Sequence, residues 1–427
     1  MSATRRAAAS WATGAAFVLA ACGARTGLEV SDLGTPSPRV DEGLLANPSP
    51  DAGPQHDLCV ELPYREPPSE VEVSFVTRIE TADVFFLVDV TGSMGEEIDQ
   101  IQDLLRVEII PRLKDAIPDL HFGVGHFADF PLPEHNYGEE DDEVYRLVQP
   151  VTGSAASVQE AVDRLRLQGG RDGAEALTEA LYQTATGDGL GRFVEPAGCS
   201  AGRPGYPCFR PIGARVILTF TDAPTHNGPG GRNPYAPGVI TPAPHSYAEA
   251  VDALNAIGAK VLGIHSGARS SSGREDLESF ATRTGAVLSD ATPLVFDIER
   301  DGASLAQTVV QAVGSLVRDV PIDLDVVIED MPGDAFDATA FLRGVETRGS
   351  DPPGAAVDLG DRYDQVLPGT EVTFAIVLRN DDIPQTETVQ PFMLRVVLRG
   401  DGVSRLREVV VMEMIPPHAP TEPSCPQ

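Results

Sequence analysis

The sequence predicts an α/β domain, doubly wound around a mainly parallel sheet, inserted in or followed by an all-β sandwich. Three observations predict it. Between residues 81 and 319, nearly all-apolar runs alternate with amphipathic segments of helical spacing, the rhythm of strands joined by crossover helices. Beyond residue 320 the pattern changes to alternating or β-branched runs split by Gly, Pro and Asp, as in a sandwich. The run "SEVEVSFVTR" (69–78) shows that second pattern before the first α/β strand. If that run is the sandwich's own first strand, the α/β region is an insertion within the sandwich; if not, the sandwich follows it.

The first residues are read as export machinery. "MSATRR" is a basic start, and "AAASWATGAAFVLA" is apolar but too short to span a bilayer. The small residues of "LAAC" then lead to Cys22, which resembles a bacterial lipobox. Residues 1–21 are expected to be a lipoprotein signal peptide and Cys22 the lipidated first residue, which anchors the chain to a bacterial membrane at the periplasmic face or cell surface. Residues 22–58 are rich in Pro, Gly, Ser and Asp without periodicity, and read as a flexible tether. The chain of 427 residues has a net charge of −32 and its lysines are Lys114 and Lys260. Such acidity repels nucleic acid and anionic headgroups and is compatible with divalent cations.

Export sets the cysteine arithmetic. With Cys22 lipidated, Cys59, Cys199, Cys208 and Cys425 remain, an even set in an oxidising compartment. Cys199 and Cys208 flank the Gly/Pro-rich "SAGRPGYP", which can close locally. That leaves Cys59 for Cys425, near the two ends of the folded region. The spacings do not suit zinc.

The elements follow in order. Residues 59–80 supply the first sandwich strand. "DVFFLVDV" is a strand buried on both faces. Ile98, Ile101, Leu104, Leu105, Ile109 and Leu113 keep helical spacing up to Pro118. Strands are expected over 121–129 and 145–151, helices over 154–167 and 174–186, and a second buried strand over 214–223. A helix over 246–257, a strand over 259–266, a helix over 274–284, a short strand "AVLSD" and a helix over 303–318 complete the region. The sandwich is expected over 320–416, and residues 417–427 form an extended Pro-rich tail.

The chemistry gathers at strand ends. Asp89, Thr91 and Ser93 alternate just past the first buried strand. Asp172 and Glu175 lie in the Gly-rich "LQGGRDGAEAL" before a helix, and Asp222 ends the second buried strand. In a doubly wound sheet these loops share the carboxyl edge, where ligands bind. Hard oxygen ligands suit Mg²⁺, Mn²⁺ or Ca²⁺ rather than Zn²⁺. The bland alternative is an Asx turn capping a helix whose dipole favours Glu96 and Glu97. His126, His226 and His265 read as core or loop residues, and Phe127, Phe130 and Tyr137 as packing.

"DVTGS" matches the D-x-[ST]-x-S signature of the metal-ion-dependent adhesion site in von Willebrand factor A domains. "GGRDGAEAL" and "TDAPTH" resemble the second and third loops of integrin β-subunit I-like and hemicentin-type A domains. The resemblance implies that Thr91 and Ser93 bind the metal directly, that Asp89 and Asp222 act through water, and that Glu175 is a ligand. It matches Asp172 and Glu175 to a neighbouring Ca²⁺ site, and Glu96 and Glu97 to an accessory site that has aspartates in the family. The flanking β segments resemble the hybrid domain into which an I-like domain is inserted.

The expected function is a non-enzymatic, surface-tethered adhesion module that captures a carboxylate-bearing protein or polymer through the cation. The alternative is a phosphohydrolase with Asp89 as nucleophile. Such enzymes place a general-acid aspartate two residues on, where Thr91 stands, and Thr91 cannot protonate a leaving group near neutral pH.

Overall fold

The computed structural model describes residues 56–418, apart from 201, 268–270, 300, 301, 303 and 334, together with 424 and 425. The signal peptide, Cys22 and nearly all of the tether lie outside the described residues.

The chain enters through β1 (Leu58–Glu61) and β2 (Ser69–Val76). It then builds the α/β unit from β3 (Thr81–Asp89), α1 (Gly95–Leu104), α2 (Ile110–Ala116), β4 (Asp119–Phe127), β5 (Arg146–Thr152), α3 (Ala155–Val162) and α4 (Leu177–Thr186). There follow β6 (Ala214–Thr221), α5 (Tyr247–Ala256), β7 (Ala259–Ser266), α6 (Ser271–Arg283), β8 (Val295–Ile298) and α7 (Leu305–Asp319). The sheet order is β5-β4-β3-β6-β7-β8, parallel except for β5. β3 is hydrophobic because both its faces are covered: Val84, Phe85, Phe86, Leu87 and Val88 are all fully buried. From β3 the chain crosses to β4 on one side, and β6 on the other side continues outward to β7. The order therefore reverses between β3 and β6, which opens a crevice at the carboxyl ends of those two strands.

The remaining strands are β9 (Ile322–Asp330), β10 (Leu342–Asp351), β11 (Val357–Asp358), β12 (Tyr363–Val366), β13 (Glu371–Leu378), β14 (Gln390–Gly400) and β15 (Ser404–Ile415). One sheet runs β1-β15-β14-β9-β12-β11 and a second runs β10-β13-β2. Their inner faces share a core that includes Val73, Phe75, Phe374, Val396 and Val411. β1 and β2 thus belong to the sandwich although they precede the α/β unit in sequence. The Cys59–Cys425 disulfide joins β1 to the chain's last described residues, and Cys199–Cys208 closes its loop.

Several elements differ from expectation. The first helix carries a π-turn over Leu105–Ile109 before α2. Pro111 lacks the N–H that would continue the α ladder, so the hydrogen bonding shifts register there. The helix expected over 154–167 stops at Val162, and the one expected from 174 starts at Leu177. "AVLSD" is a turn region in which Val287 makes only an isolated bridge to Pro293, and the edge strand comes later as β8.

Candidate metal centre

Backbone hydrogen bonds knit three loops together at the crevice. Gln168 N–H donates to Val90 O at 2.7 Å, and Gly92 N–H reaches Gly169 O at 3.5 Å, tying the first loop to the second. Glu175 N–H donates to Pro224 O, and His226 N–H to Glu175 O, tying the second loop to the third. At Gly170, φ is +71° and an added Cβ would lie 3.0 Å from Glu175 Oε1, so only glycine lets the loops approach this closely. Asp142, buried at the start of the next strand's lead-in, accepts from the N–H groups of Gly169 at 2.8 Å and Gly170 at 2.9 Å. It holds the glycine loop in place.

Asp89 is fully buried at the end of β3. Its Oδ1 accepts from Thr91 N–H at 2.9 Å and Thr91 Oγ1 at 2.7 Å, and its Oδ2 accepts from Thr221 Oγ1 at 2.6 Å. Burial raises its pKa to about 6, against the lowering effect of those hydrogen bonds. Ser93 Oγ donates to Asp222 Oδ1 at 2.8 Å across the crevice. Glu175 is buried, and burial together with the charges of Asp89, Asp129, Asp172 and Asp142 raises its pKa well above the ordinary value. The structure therefore brings Asp89, Thr91, Ser93, Glu175 and Asp222 to one edge.

Asp172 pairs with His226. Its Oδ2 lies 3.1 Å from His226 Nε2, and Asp129 Oδ2 lies 3.5 Å from the same nitrogen. Asp129, Asp172 and His226 form a cluster able to chelate a metal ion. His226 Nδ1 faces Asn233 O at 2.8 Å, so both ring nitrogens meet acceptors. Burial disfavours its charged form, but the Asp129 and Asp172 carboxylates outweigh it and hold its pKa at about 10. Asp129 Oδ1 accepts from the Tyr235 hydroxyl, and burial raises the Asp129 pKa.

The donor set fits a hard divalent cation. Asp172 Oδ1 and Glu175 Oε2 are buried without a hydrogen-bond partner, whereas Asp129 Oδ2 faces the His226 ring at 3.5 Å. Unpartnered buried carboxylate oxygens cost several kcal/mol each unless protonated or matched by a cation. With Asp89, Thr91, Ser93 and Asp222 alongside, oxygen ligands dominate.

The accessory pair divides. Glu96 is exposed, whereas Glu97 is buried, with Oε1 bonded to the Ser266 hydroxyl at the end of β7 and Oε2 unpartnered. Burial raises the Glu97 pKa despite the Ser266 bond. Sequence reasoning missed Asp129 and read His226 as a core or loop residue. The signal for Asp129 was available: it follows the end of a buried strand, as Asp89 ends one. Phe127, Phe130 and Tyr137 are buried, as packing residues.

No family model matches the chain, and no curated protein does. Among solved structures it is similar to a von Willebrand factor type A protein from Catenulispora acidiphila, with a TM-score of 0.38 and 16% identity, covering 84% of this chain and 72% of that one. It is also similar to the pilus adhesin SpaC from Lactobacillus rhamnosus GG in its open conformation (TM-score 0.34, 12% identity, 80% of this chain and 45% of that one). A third is proximal thread matrix protein 1 from the mussel byssus (TM-score 0.30, 15% identity, 57% and 47%). The chain spans under half the length of the last two. The likeness to von Willebrand factor A-like and adhesin structures is distant.

Proposed function

We propose that this chain is a non-catalytic binding protein of the bacterial cell envelope, tethered by lipid at Cys22, that captures a carboxylate-bearing protein or polymer through Mg²⁺, Mn²⁺ or Ca²⁺. One observation carries the reading: three loops, knitted by backbone hydrogen bonds, set Asp89, Thr91, Ser93, Glu175 and Asp222 at the reversal point of the sheet beside unpartnered buried carboxylate oxygens. A divalent cation held there supplies an electrophilic position for an anionic oxygen. Asp89 orients Thr91, Asp222 orients Ser93, and Glu175 adds charge from the second loop. Asp129, Asp172 and His226 form a further cluster that can chelate a metal ion once His226 gives up its ring proton.

Binding is preferred over the phosphohydrolase alternative because Thr91 stands where a general-acid aspartate would be needed, and buried Asp89 accepts hydrogen bonds from Thr91 and Thr221 that make it an orienting group. The test uses beads coated with an aspartate-containing peptide and beads coated with its methyl ester. The mature chain is expected to bind the acid beads in Mg²⁺ and release in EDTA, and to ignore the ester. Equal binding to both kinds of bead, or binding unaffected by EDTA, would sink the reading.

A further inference from the structure

An open cavity of about 450 Å³ lies at the end of the sheet opposite the crevice, where β6 begins. Arg203, Arg215 and Arg405 line it and no carboxylate does, in a chain whose net charge is −32. Arg215 is 5% exposed. Its guanidinium donates to three backbone carbonyls, Ile257 O at 2.7 Å and Arg210 O and Pro211 O at 3.1 Å, and its Nε is buried without a partner. Among the described residues no ion pair reaches Arg215, and Asp83, its register partner on β3, is held by Arg210 at 2.6 Å. Burial pulls the Arg215 pKa down against the charge of Asp83. Arg203 is half-buried in the loop that Cys199–Cys208 closes. Its Nε donates to Cys208 O at 2.8 Å, which leaves both terminal nitrogens without a partner among the described residues. Arg405 differs, because Glu329 and Glu408 hold its guanidinium from outside the cavity wall.

A cation buried as deeply as Arg215 is costly unless it is both hydrogen-bonded and countered. The carbonyls meet the first need, and nothing on the cavity wall meets the second. The other side chains there are apolar: Pro204, Pro211, Ala256, Ile257 and Val403. None of the lining side chains can accept a hydrogen bond, so a hydroxyl-rich ligand would lose water without replacement. We propose that this cavity is a binding site for a small organic acid, whose carboxylate or phosphate supplies the countercharge for Arg203 and Arg215 and whose apolar body lies against the proline, isoleucine and valine walls. Guanidinium forks match carboxylate and phosphate oxygens alike. The volume falls within the range of small-molecule sites, roughly 300–1,000 Å³. The arginines thus select for charge and the walls for the body that carries it. No metal takes part, so the site stands apart from the reading above.

The test uses the full mature chain in EDTA, so that no cation at the crevice can hold an oxyanion. The probes are phenyl phosphate, benzoate, glycerol phosphate and benzyl alcohol. Calorimetry reads their affinities, and the amide shifts of Gly202 and Val403 locate the contact. One equivalent of phenyl phosphate or benzoate is expected to bind, about tenfold tighter than glycerol phosphate or benzyl alcohol. Which of the two binds better tells a phosphate ester from a carboxylate. Replacing Arg215 would strip three carbonyls of their donor and endanger the fold, so the variants are placed elsewhere. Arg203→Gln removes an unpaired charge, and Val403→Asp sets a carboxylate at an exposed position on the wall. Each is expected to weaken the aromatic acids about tenfold with the thermal melt unchanged, whereas Arg203→Lys keeps the affinity within about threefold. Three results would overturn the proposal: no binding of either aromatic acid at millimolar levels, equal affinity for glycerol phosphate, or affinities indifferent to both Arg203→Gln and Val403→Asp. In any of these the arginines serve only to join the sandwich to the sheet.

Discussion

Asp142 shows how much of the site depends on a residue that touches no ligand. Its carboxylate accepts from Glu139, Gly169 and Gly170 N–H groups, and such charge-assisted bonds are each worth roughly 1.5–3 kcal/mol. Asp142→Asn turns an amide N–H₂ towards one of those donors. Mn²⁺ affinity is expected to fall about tenfold, because the loop carrying Asp172 and Glu175 loosens, with the circular dichroism spectrum unchanged; calorimetric titration reads it. Glu413 is a different kind of residue. It is fully buried on the core-facing side of β15 with both oxygens unpartnered, and burial, assisted by Asp330, pushes its pKa up to about 9. The folded state therefore binds a proton that the unfolded chain releases above its ordinary value of 4.5. Its contribution is fully present below 4.5 and is lost as pH rises towards about 9, at roughly 1.4 kcal/mol per pH unit. Denaturant melts from pH 5 to 9 are expected to show a flatter decline for Glu413→Gln than for the wild type. Parallel curves would contradict it.

At the scale of elements, the buried strands were the most legible. β3 and β6 are apolar because both faces are covered, and no helix of those lengths competes for the pattern. The carboxyl-edge loops were legible for the same reason, since a strand's end locates them. β10 went unread because "LRGVETRGSD" alternates only weakly and lies at a sheet edge, half-exposed along its length. β5 also lies at an edge, where unpaired backbone groups invite association. There Val151 N–H donates to Pro207 O at 2.8 Å, from the loop that Cys199–Cys208 closes. The "CSAGRPGYPC" loop, for which the sequence offered no role, thus covers the sheet edge. A Cys199→Ala/Cys208→Ala variant is expected to exchange the Val151 amide at least tenfold faster by hydrogen–deuterium exchange, with the central strands β3 and β6 unchanged. Uniformly faster exchange would mean that the loop supports the whole domain rather than its edge.

On the scale of the whole molecule, the sandwich grips the α/β unit at the end opposite the crevice. The turn between β14 and β15 brings Asp401 to Lys260 at 2.7 Å, and at the start of β15 Arg405 O accepts from Gly213 N–H at 2.8 Å. The insertion was legible from "SEVEVSFVTR", because alternation survives without knowledge of its partner strand. The split between Glu175 and Asp172 was not, since two acids three residues apart on one loop give no sign of which way each side chain turns. Neither was the engagement of His226, which depends on a fold that carries "TDAPTH" beside "RDG" and "FAD". What unites these parts is the claim that the reversal point of the sheet is built to hold a divalent cation. The most direct measurement is the thermal melt of the mature chain with Mg²⁺, Mn²⁺ or Ca²⁺ against EDTA, in the wild type and in Asp89→Ala. The account predicts saturable stabilisation of the wild type, about 2.7 kcal/mol at a hundredfold excess over the dissociation constant, and its loss in the Asp89→Ala variant with the fold intact. A wild-type melt indifferent to all three cations at millimolar levels would contradict it and leave the cluster as a turn.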